Sequence, residues 1–454
     1  MMRDPAHSML KPPAPMALRG KRVLVLGLGD TGLSVARWVQ RHGGVVRAAD
    51  TRREPPGKKD FLGEFSGGKF KAALLNGVDL VCISPGLALN QPLIETAITK
   101  QIPVVGDIEL FAWAAKGKRI AVTGTNGKST VTALTGHLLR AAGIDCEVAG
   151  NIAPPALEAL ARRLKPPAAW VLELSSYQLE TTWSLAPEAA VMLNLSEDHL
   201  DRYRGLAEYA AAKARVFQGG GVQVLNRCDS ASMALAVPGR TQVTFGLDAP
   251  ALPEDFGLEQ GWLCRGKEKI LQERDLPLAG AHNTSNALAA CALAVQAGAP
   301  LAALAEGLRS FRGLPHRMQL VAERSGVAWY DDSKGTNVGA TTAALSGLGR
   351  PAILILGGEG KGQDFSPLAP VVKARAKQVL LIGKDAGAIG RALKNEKIPM
   401  EKAKTLEEAV KRAAAIARPG DAVLLSPACA SFDMFHDYKH RGEVFAAAVK
   451  ALHG

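Results

Sequence analysis

The sequence predicts an α/β protein built from three parallel-sheet domains, and three observations carry that prediction. Short β-branched runs alternate with helical stretches from Lys21 onward, the pattern of parallel strands joined by covering helices. The chain has 454 residues, about three domains' worth at ~150 residues each. Two glycine-rich turns, Gly27 to Gly32 and Thr123 to Thr130, each fall between a strand-like run and a helical one. Folds of this class place phosphate-binding loops there.

The elements follow in order. Residues 1–19 carry four prolines and no periodicity, and are expected to form a flexible leader. Residues 22–27 (RVLVLG) read as a buried strand, 33–41 as the helix after it, and 45–49 as a second apolar run, within a domain over 20–106. A second unit opens with a strand at 118–124 (KRIAVTG) and a helix over 129–142, and continues through strands at 169–174, 189–194 and 222–226. The turn-dense stretch 238–266 predicts small strands at the edge of this middle domain, which spans 107–313. The third domain, 314–454, follows the loop 312–316 and has strands at 352–356, 378–382 and 422–426.

Composition narrows the function. Apolar residues make up 47% and charged residues 22%, a globular balance that excludes disorder. The six cysteines include no C-x-x-C pair, which excludes a disulfide scaffold and a zinc ribbon. No stretch reaches the ~20 continuous apolar residues of a membrane helix, and the prolines at 12, 13 and 15 break up any secretory signal. A cytoplasmic protein with reduced thiols and no membrane insertion is expected. The net charge is +12, diluted over a long chain with 47 glycines and only 5% aromatics. That suits backbone-lined nucleotide sites better than an aromatic nucleic-acid surface, so no nucleic-acid partner is expected.

Three motifs carry chemistry. Gly27-Leu28-Gly29-Asp30-Thr31-Gly32 is a G-x-G-x-x-G followed by Asp50 at the end of the next run. Its ordinary meaning is a nicotinamide or flavin dinucleotide site, with a Gly-rich turn that binds nothing as the bland alternative. Thr123-Gly124-Thr125-Asn126-Gly127-Lys128-Ser129-Thr130 is more specific. Its N–H groups would wrap phosphate oxygens, Lys128 would reach the β/γ-phosphates, and Ser129 or Thr130 would offer a hydroxyl to Mg²⁺, so ATP binding is expected. Glu173 ends an apolar strand and His199 follows another. A carboxylate and an imidazole at adjacent strand ends can hold Mg²⁺ against phosphates, although a lone strand-end Glu is more often salt-bridged or solvated.

The phosphate loop is joined by E-L-S-S-Y-Q-L-E at 173–180, E-D-H-L-D-R-Y at 197–203 and H-N-T-S-N at 282–286. Further on stand L-P-H-R at 314–317, D-D-S-K-G-T-N at 331–337 and S-P-A-C-A-S at 426–431. Together these resemble the Mur ligase family, in order and at compatible spacing, over all but the leader. The resemblance implies a Rossmann-like N-terminal domain, a P-loop mononucleotide-binding central domain and a Rossmann-like C-terminal domain. It implies an ATP-dependent ligase that adds D-glutamate to UDP-N-acetylmuramoyl-L-alanine in cytoplasmic peptidoglycan synthesis, through an acyl-phosphate. A sister ligase adding another amino acid, or a nicotinamide oxidoreductase, is the alternative.

The resemblance also assigns residues. Gly124, Thr125, Asn126, Gly127, Lys128, Ser129 and Thr130 would hold the phosphates, with Asn283, Asn286, Arg317 and Asp332 on the rest of the nucleotide. Asn286 and Arg317 would face each other across a cleft and meet the nucleotide on domain closure. Ser129, Glu173 and His199 would ligate Mg²⁺. Lys213, a solvated helical charge by composition alone, would be carbamylated by CO₂ and join them as a ligand. The UDP-linked substrate would take Asp30, Thr31 and Gly32 at its diphosphate and Asp50, Thr51 and Arg52 at the uridine. Ser84 and Gly86 would lie against the sugar, with Asn151 and His199 at the muramoyl end. Lys334, Thr336, Lys361, Ser431, Phe432 and Tyr438 would receive D-glutamate, whose two carboxylates call for cations and hydroxyls. Gly335 and Phe432 stand where other members often carry Ala and Leu. A monomer is expected.

Overall fold

Three sheets follow one another along the chain, and a computed structural model describes residues 13–198, 202–278 and 280–452. His199 lies outside the described residues, as do residues 1–12. The first sheet holds β1 (Arg22–Leu26), β2 (Val45–Asp50), β3 (Glu64–Gly67), β4 (Leu80–Ile83) and β5 (Val104–Val105). Its order is β3-β2-β1-β4-β5 with every neighbour parallel. The order reverses at β1, so the crevice beyond its C-terminal end, where the glycine motif begins, is the ligand position of a doubly wound sheet. The helix after β1 runs over Asp30–Arg41, three residues earlier than the apolar pattern alone indicated. Asp30, Thr31 and Gly32 are therefore its first turn, where N–H groups point outward to an anion. Of the expected leader, Leu18 is buried and Met16 packs against the same core.

The middle sheet has nine strands in the order β14-β13-β12-β11-β10-β9-β6-β8-β7. Its parallel half comprises β6 (Lys118–Thr123), β7 (Cys146–Gly150), β8 (Ala169–Glu173), β9 (Ala189–Met192), β10 (Val222–Asn226) and β11 (Gln242–Phe245). The turn-dense segment gives β12 (Phe256–Glu259), β13 (Trp262–Arg265) and β14 (Glu268–Gln272), an antiparallel extension at the edge. β6 lies between β8 and β9. The loop leaving β6 is thus flanked by the C-terminal ends of the two strands carrying Glu173 and leading to Asn194. Residue patterning explains the depth of this sheet: Ile120, Val122, Val171 and Val191 are fully buried, as parallel strands covered on both faces require.

The third sheet runs β15-β16-β20-β17-β18-β19, with β15 (Gln319–Arg324) antiparallel to β16 (Val327–Asp331). β17 (Ala352–Gly357), β18 (Ala376–Ile382), β19 (Met400–Lys402) and β20 (Ala422–Leu425) are parallel. The first two domains share one apolar core, in which Val35 and Trp38 of the first lie with Leu157 and Trp170 of the second; within the second, Phe111 of the helix Asp107–Ala114 meets Trp170 of β8 edge-on at 5.1 Å between ring centroids. Glu109 is buried and accepts from the Ser184 N–H at 2.9 Å. Such a well-hydrogen-bonded buried carboxylate holds the helix that opens the middle domain against the segment that follows β8.

Candidate active site

The phosphate loop is held open by glycine and closed by asparagine. Gly127 sits at φ +83°, just before the helix Lys128–Ala141, and a Cβ there would come within 2.5 Å of Asn286 Oδ1. The loop is tied to β9's exit: Asn194 O accepts the Thr125 N–H at 2.9 Å and Asn194 Oδ1 accepts the Asn126 N–H at 2.8 Å. β9 ends at Met192, before the expected 194, because Asn194 serves the loop instead of the sheet. Lys128 Nζ donates to Gly124 O at 2.9 Å and Thr125 O at 2.8 Å. Two of its three donors are used, and a phosphate oxygen would take the third. Burial lowers its pKa, against the pull of Glu173 and Asp198.

Glu173 is 2% exposed. Asn151 Nδ2 donates to its Oε1 at 2.7 Å, whereas the buried Oε2 has no hydrogen-bond partner among the described residues. A buried carboxylate oxygen is normally satisfied, so this one fits a cation. The described residues contain no cluster of three or more His, Cys, Asp or Glu that could hold a metal. A magnesium ion here would therefore draw on Glu173, the Ser129 hydroxyl and phosphate oxygens, the mixed set this ion prefers.

Lys213 overturns its composition-based reading as a solvated charge. It is 1% exposed, at the end of the helix Leu206–Ala214. Its Nζ donates to Gly124 O at 2.7 Å and lies 4.6 Å over the Tyr209 ring. Burial, reinforced by the nearby Lys128 charge, drives its pKa well below the usual lysine value.

The third domain already reaches the loop. Arg317 Nη2 donates to Ser129 Oγ at 2.7 Å, and Asn337 Nδ2 donates to Asn126 Oδ1 at 3.2 Å. The cleft expected between Asn286 and Arg317 is thus closed here: both residues approach the same loop. Asp332, expected on the nucleotide, is buried and accepts from the Met318 N–H at 3.2 Å and Ser426 Oγ at 2.7 Å. Burial pushes its pKa up to about 7, and its backbone carbonyl accepts the Gly335 N–H at 2.8 Å in the turn carrying Lys334. A Cβ on Gly335 would lie 2.6 Å from the Asp332 carboxylate, which accounts for glycine in that turn.

A cavity of about 310 Å³ lies between the two domains. From the middle domain it is walled by Thr125, Asn126, Gly127, Lys128, Asn151, Glu173 and Lys213. From the third come Arg317, Lys334, Thr336, Lys361, Ser431, Phe432 and Tyr438. Lys334 Nζ sits 3.9 Å over the Tyr438 ring, and burial lowers its pKa to about 8. Lys361 adopts φ +53°, and Phe432 is 67% exposed. Sequence reasoning missed Ser175, Tyr177, Asp198, Tyr209, Asn337 and Asp437, which also line it. Tyr209 precedes Lys213 by one helical turn, a spacing that could have found it. Arg441, fully buried, was missed too; it donates to Ser333 O at 2.8 Å and Cys429 O at 3.1 Å, stitching together the loops that present Lys334 and Ser431.

Every lining residue of this cavity lies at or after Thr125, so the N-terminal glycine motif forms a separate place. Ser84 Oγ donates to Gly27 O at 2.8 Å, joining the 84–86 loop to it. Asp50, expected at the uridine, is 2% exposed and accepts from the N–H groups of Leu28 and Arg52, each at 2.8 Å. The Arg52 guanidinium adds two more bonds. Burial alone would raise the Asp50 pKa, but these donors hold it below the usual carboxylate value. Thr51 is exposed, and the Arg52 side chain is just over half exposed. Asp50 therefore orients Arg52 and the glycine turn. A Cβ on Gly32 would fall 1.8 Å from Gly27 O. Gly32→Ala is expected to cost about 1–3 kcal/mol of stability, read by thermal melts.

Family models match all three regions: a Mur ligase MurD-like N-terminal domain over residues 21–106, a Mur ligase middle domain over 122–294, and a Mur ligase glutamate ligase domain over 316–429. A UDP-N-acetylmuramoylalanine–D-glutamate ligase of Nitrosospira multiformis is 53% identical over 457 residues, covering 96% of this chain and 97% of that one. The chain belongs to the Mur ligase family. Another ligase of that name, from Aromatoleum aromaticum, is 52% identical over 96% of this chain and 98% of its own. The fold agrees with solved Mur ligases. A UDP-N-acetylmuramate–alanine ligase from Thermotoga maritima superposes with TM-score 0.62 at 20% identity, over 95% of this chain and 99% of that chain. In a Mur ligase the first glycine motif belongs to the ligase N-terminal domain, and the nicotinamide reading is left without support.

Proposed function

We propose that this Mur ligase joins D-glutamate to UDP-N-acetylmuramoyl-L-alanine with ATP, the step named by its relatives, in peptidoglycan precursor synthesis for the cell wall. The observation that carries the reading is a cavity with a phosphate loop on one wall and a cation- and hydroxyl-bearing pocket on the other. A phosphorylated carboxylate and an incoming amine can meet there.

A carboxylate is a poor electrophile, and transfer of the γ-phosphoryl group to it supplies a leaving group. Lys128 grips the β/γ-phosphates, and Arg317 neutralises the same end while steering the Ser129 hydroxyl. Ser129 and Glu173 would hold a magnesium ion, which would supply neutralisation of the charge that builds up during transfer. His199 completes this set and, with Asn151, receives the muramoyl end. Asn283 and Asn286 hold the nucleoside side. The amine of D-glutamate then attacks the acyl carbon, phosphate leaves, and the nitrogen loses its proton. Closure of the third domain over the loop excludes water from the acyl-phosphate.

Lys213 is proposed to act as a carbamate. Its depressed pKa supplies the free amine, which adds to CO₂ with loss of one proton and becomes an anionic ligand beside Glu173. The N-terminal residues Asp30, Thr31, Gly32, Arg52, Ser84 and Gly86 take the UDP portion. No helix among the described residues is long and apolar enough to cross a membrane.

Lys334, Lys361, Ser431 and Tyr438 are proposed to bind the two D-glutamate carboxylates. Lys361→Ala is expected to raise the KM for D-glutamate about tenfold or more, with the KM for ATP nearly unchanged; equal effects on both would place Lys361 elsewhere. The reading itself is tested by phosphate release with ATP and UDP-N-acetylmuramoyl-L-alanine against a panel of D- and L-amino acids. Release dependent on D-glutamate supports it, and preference for another amino acid refutes it.

A further inference from the structure

The cavity and the UDP site are built on different domains, yet the reacting carboxylate has to travel with the UDP portion into the cavity. Its position therefore depends on how the N-terminal domain is seated against the middle one. Arg202, in the E-D-H-L-D-R-Y motif, is placed to control this. Its side chain is 11% exposed and forms an ion pair through Nη2 with Glu180, itself 9% exposed. Nη1 donates across the domain boundary to Pro85 O at 3.2 Å, in the loop between Ser84 and Gly86. The flat guanidinium lies 4.2 Å over the ring of Tyr177, which lines the cavity.

Behind Glu180 the contacts continue. Tyr203 donates its hydroxyl to Glu180 Oε1 at 2.6 Å. The Tyr203 ring lies 5.3 Å from that of Tyr209, over which Lys213 sits. The Tyr209 hydroxyl is 3.5 Å from Thr125 Oγ1 in the phosphate loop. These aromatic residues form a small core of their own around Tyr203, Tyr209 and Ala212. One guanidinium thus faces the nucleotide-sugar loop on one side and the back wall of the catalytic cavity on the other.

We infer that Arg202 is a positioning residue that sets the register of the 84–86 loop against the cavity, and so sets where the substrate carboxylate arrives. The inference rests on the function proposed above. Stability is a weak explanation for the arrangement, because a buried ion pair roughly cancels its own desolvation cost. Geometry is the stronger one: only a planar fork can serve Glu180, a carbonyl and a ring face together. A lysine keeps the charge and loses that threefold contact. Misplacing the carboxylate by a fraction of an ångström to an ångström slows transfer without changing what either ligand touches.

The test uses the full-length enzyme as R202K and R202Q beside the parent, with kcat, the KM for ATP and D-glutamate, the Kd for UDP and Tm all measured. R202K is expected to lose about tenfold or more in kcat while its Kd for UDP and both KM values stay within about twofold of the parent, with R202Q lower still. Turnover of R202K near the parent's overturns the inference. So does a loss in which UDP and ATP affinity fall together with Tm, the mark of a merely structural role. A parent that releases no phosphate with the UDP-linked precursor defeats the proposed function and this inference with it. An active parent with an unaffected R202K defeats this inference alone.

Discussion

Glu173→Ala is expected to reduce turnover on the order of a thousandfold while the Kd for UDP stays unchanged. Its Oε2 is a buried carboxylate oxygen with no hydrogen-bond partner among the described residues, and Oε1 is held in place by Asn151. It stands at the end of β8, adjacent to the strand from which the phosphate loop departs. Truncation removes the anionic partner of the cation and leaves phosphate charge uncompensated beside Lys128. UDP binding should survive because the glycine motif lies in another sheet. Steady-state phosphate release and calorimetric UDP titration read the two effects separately. Ordinary turnover in the variant would remove Glu173 from the metal site. Glu173→Gln keeps the contact with Asn151 and separates loss of charge from loss of packing.

Lys213→Ala comes next in size, with an expected loss of roughly a hundredfold in kcat and partial recovery on addition of acetate or another short-chain carboxylate. Burial lowers the pKa of the amine well below the usual lysine value, which favours the neutral form that reacts with CO₂. As pH falls toward its depressed pKa the amine protonates and the carbamate is lost. The parent should therefore depend on bicarbonate, most strongly at the acid end of its range. Loss of activity without carboxylate rescue, in an enzyme indifferent to bicarbonate, would leave Lys213 as a donor to Gly124 O and nothing more.

Much of the site could be read from the sequence because its chemistry depends on local order. A loop whose N–H groups must converge on phosphate has to run strand, glycine turn, Lys-Ser-Thr, helix, and residues 123–130 do so. Glu173 was legible because a polar residue ending a buried parallel strand emerges at the ligand edge. Lys213 was different. Its helix reads L-A-E-Y-A-A-A-K-A, and with alanine on every side no periodicity tells which face is buried. The contact of Asp50 with Arg52 was hidden for a related reason: a strand-end acid that binds a ligand and one that orients a neighbouring arginine look the same in sequence. Arg441 and Asp332 act on loops far away in the chain, and only the fold brings them together. The closed position of the third domain was also beyond the motifs, since Arg317 to Ser129 is a contact between domains.

The central claim is that the precursor carboxylate becomes an acyl-phosphate in this cavity. It is tested most directly by labelling that carboxylate with heavy oxygen and analysing the phosphate released in the presence of ATP and D-glutamate. The account predicts one labelled oxygen in each phosphate, because the carboxylate oxygen that attacks the γ-phosphorus leaves with it. Phosphate carrying no label, with amide product still formed, would contradict it.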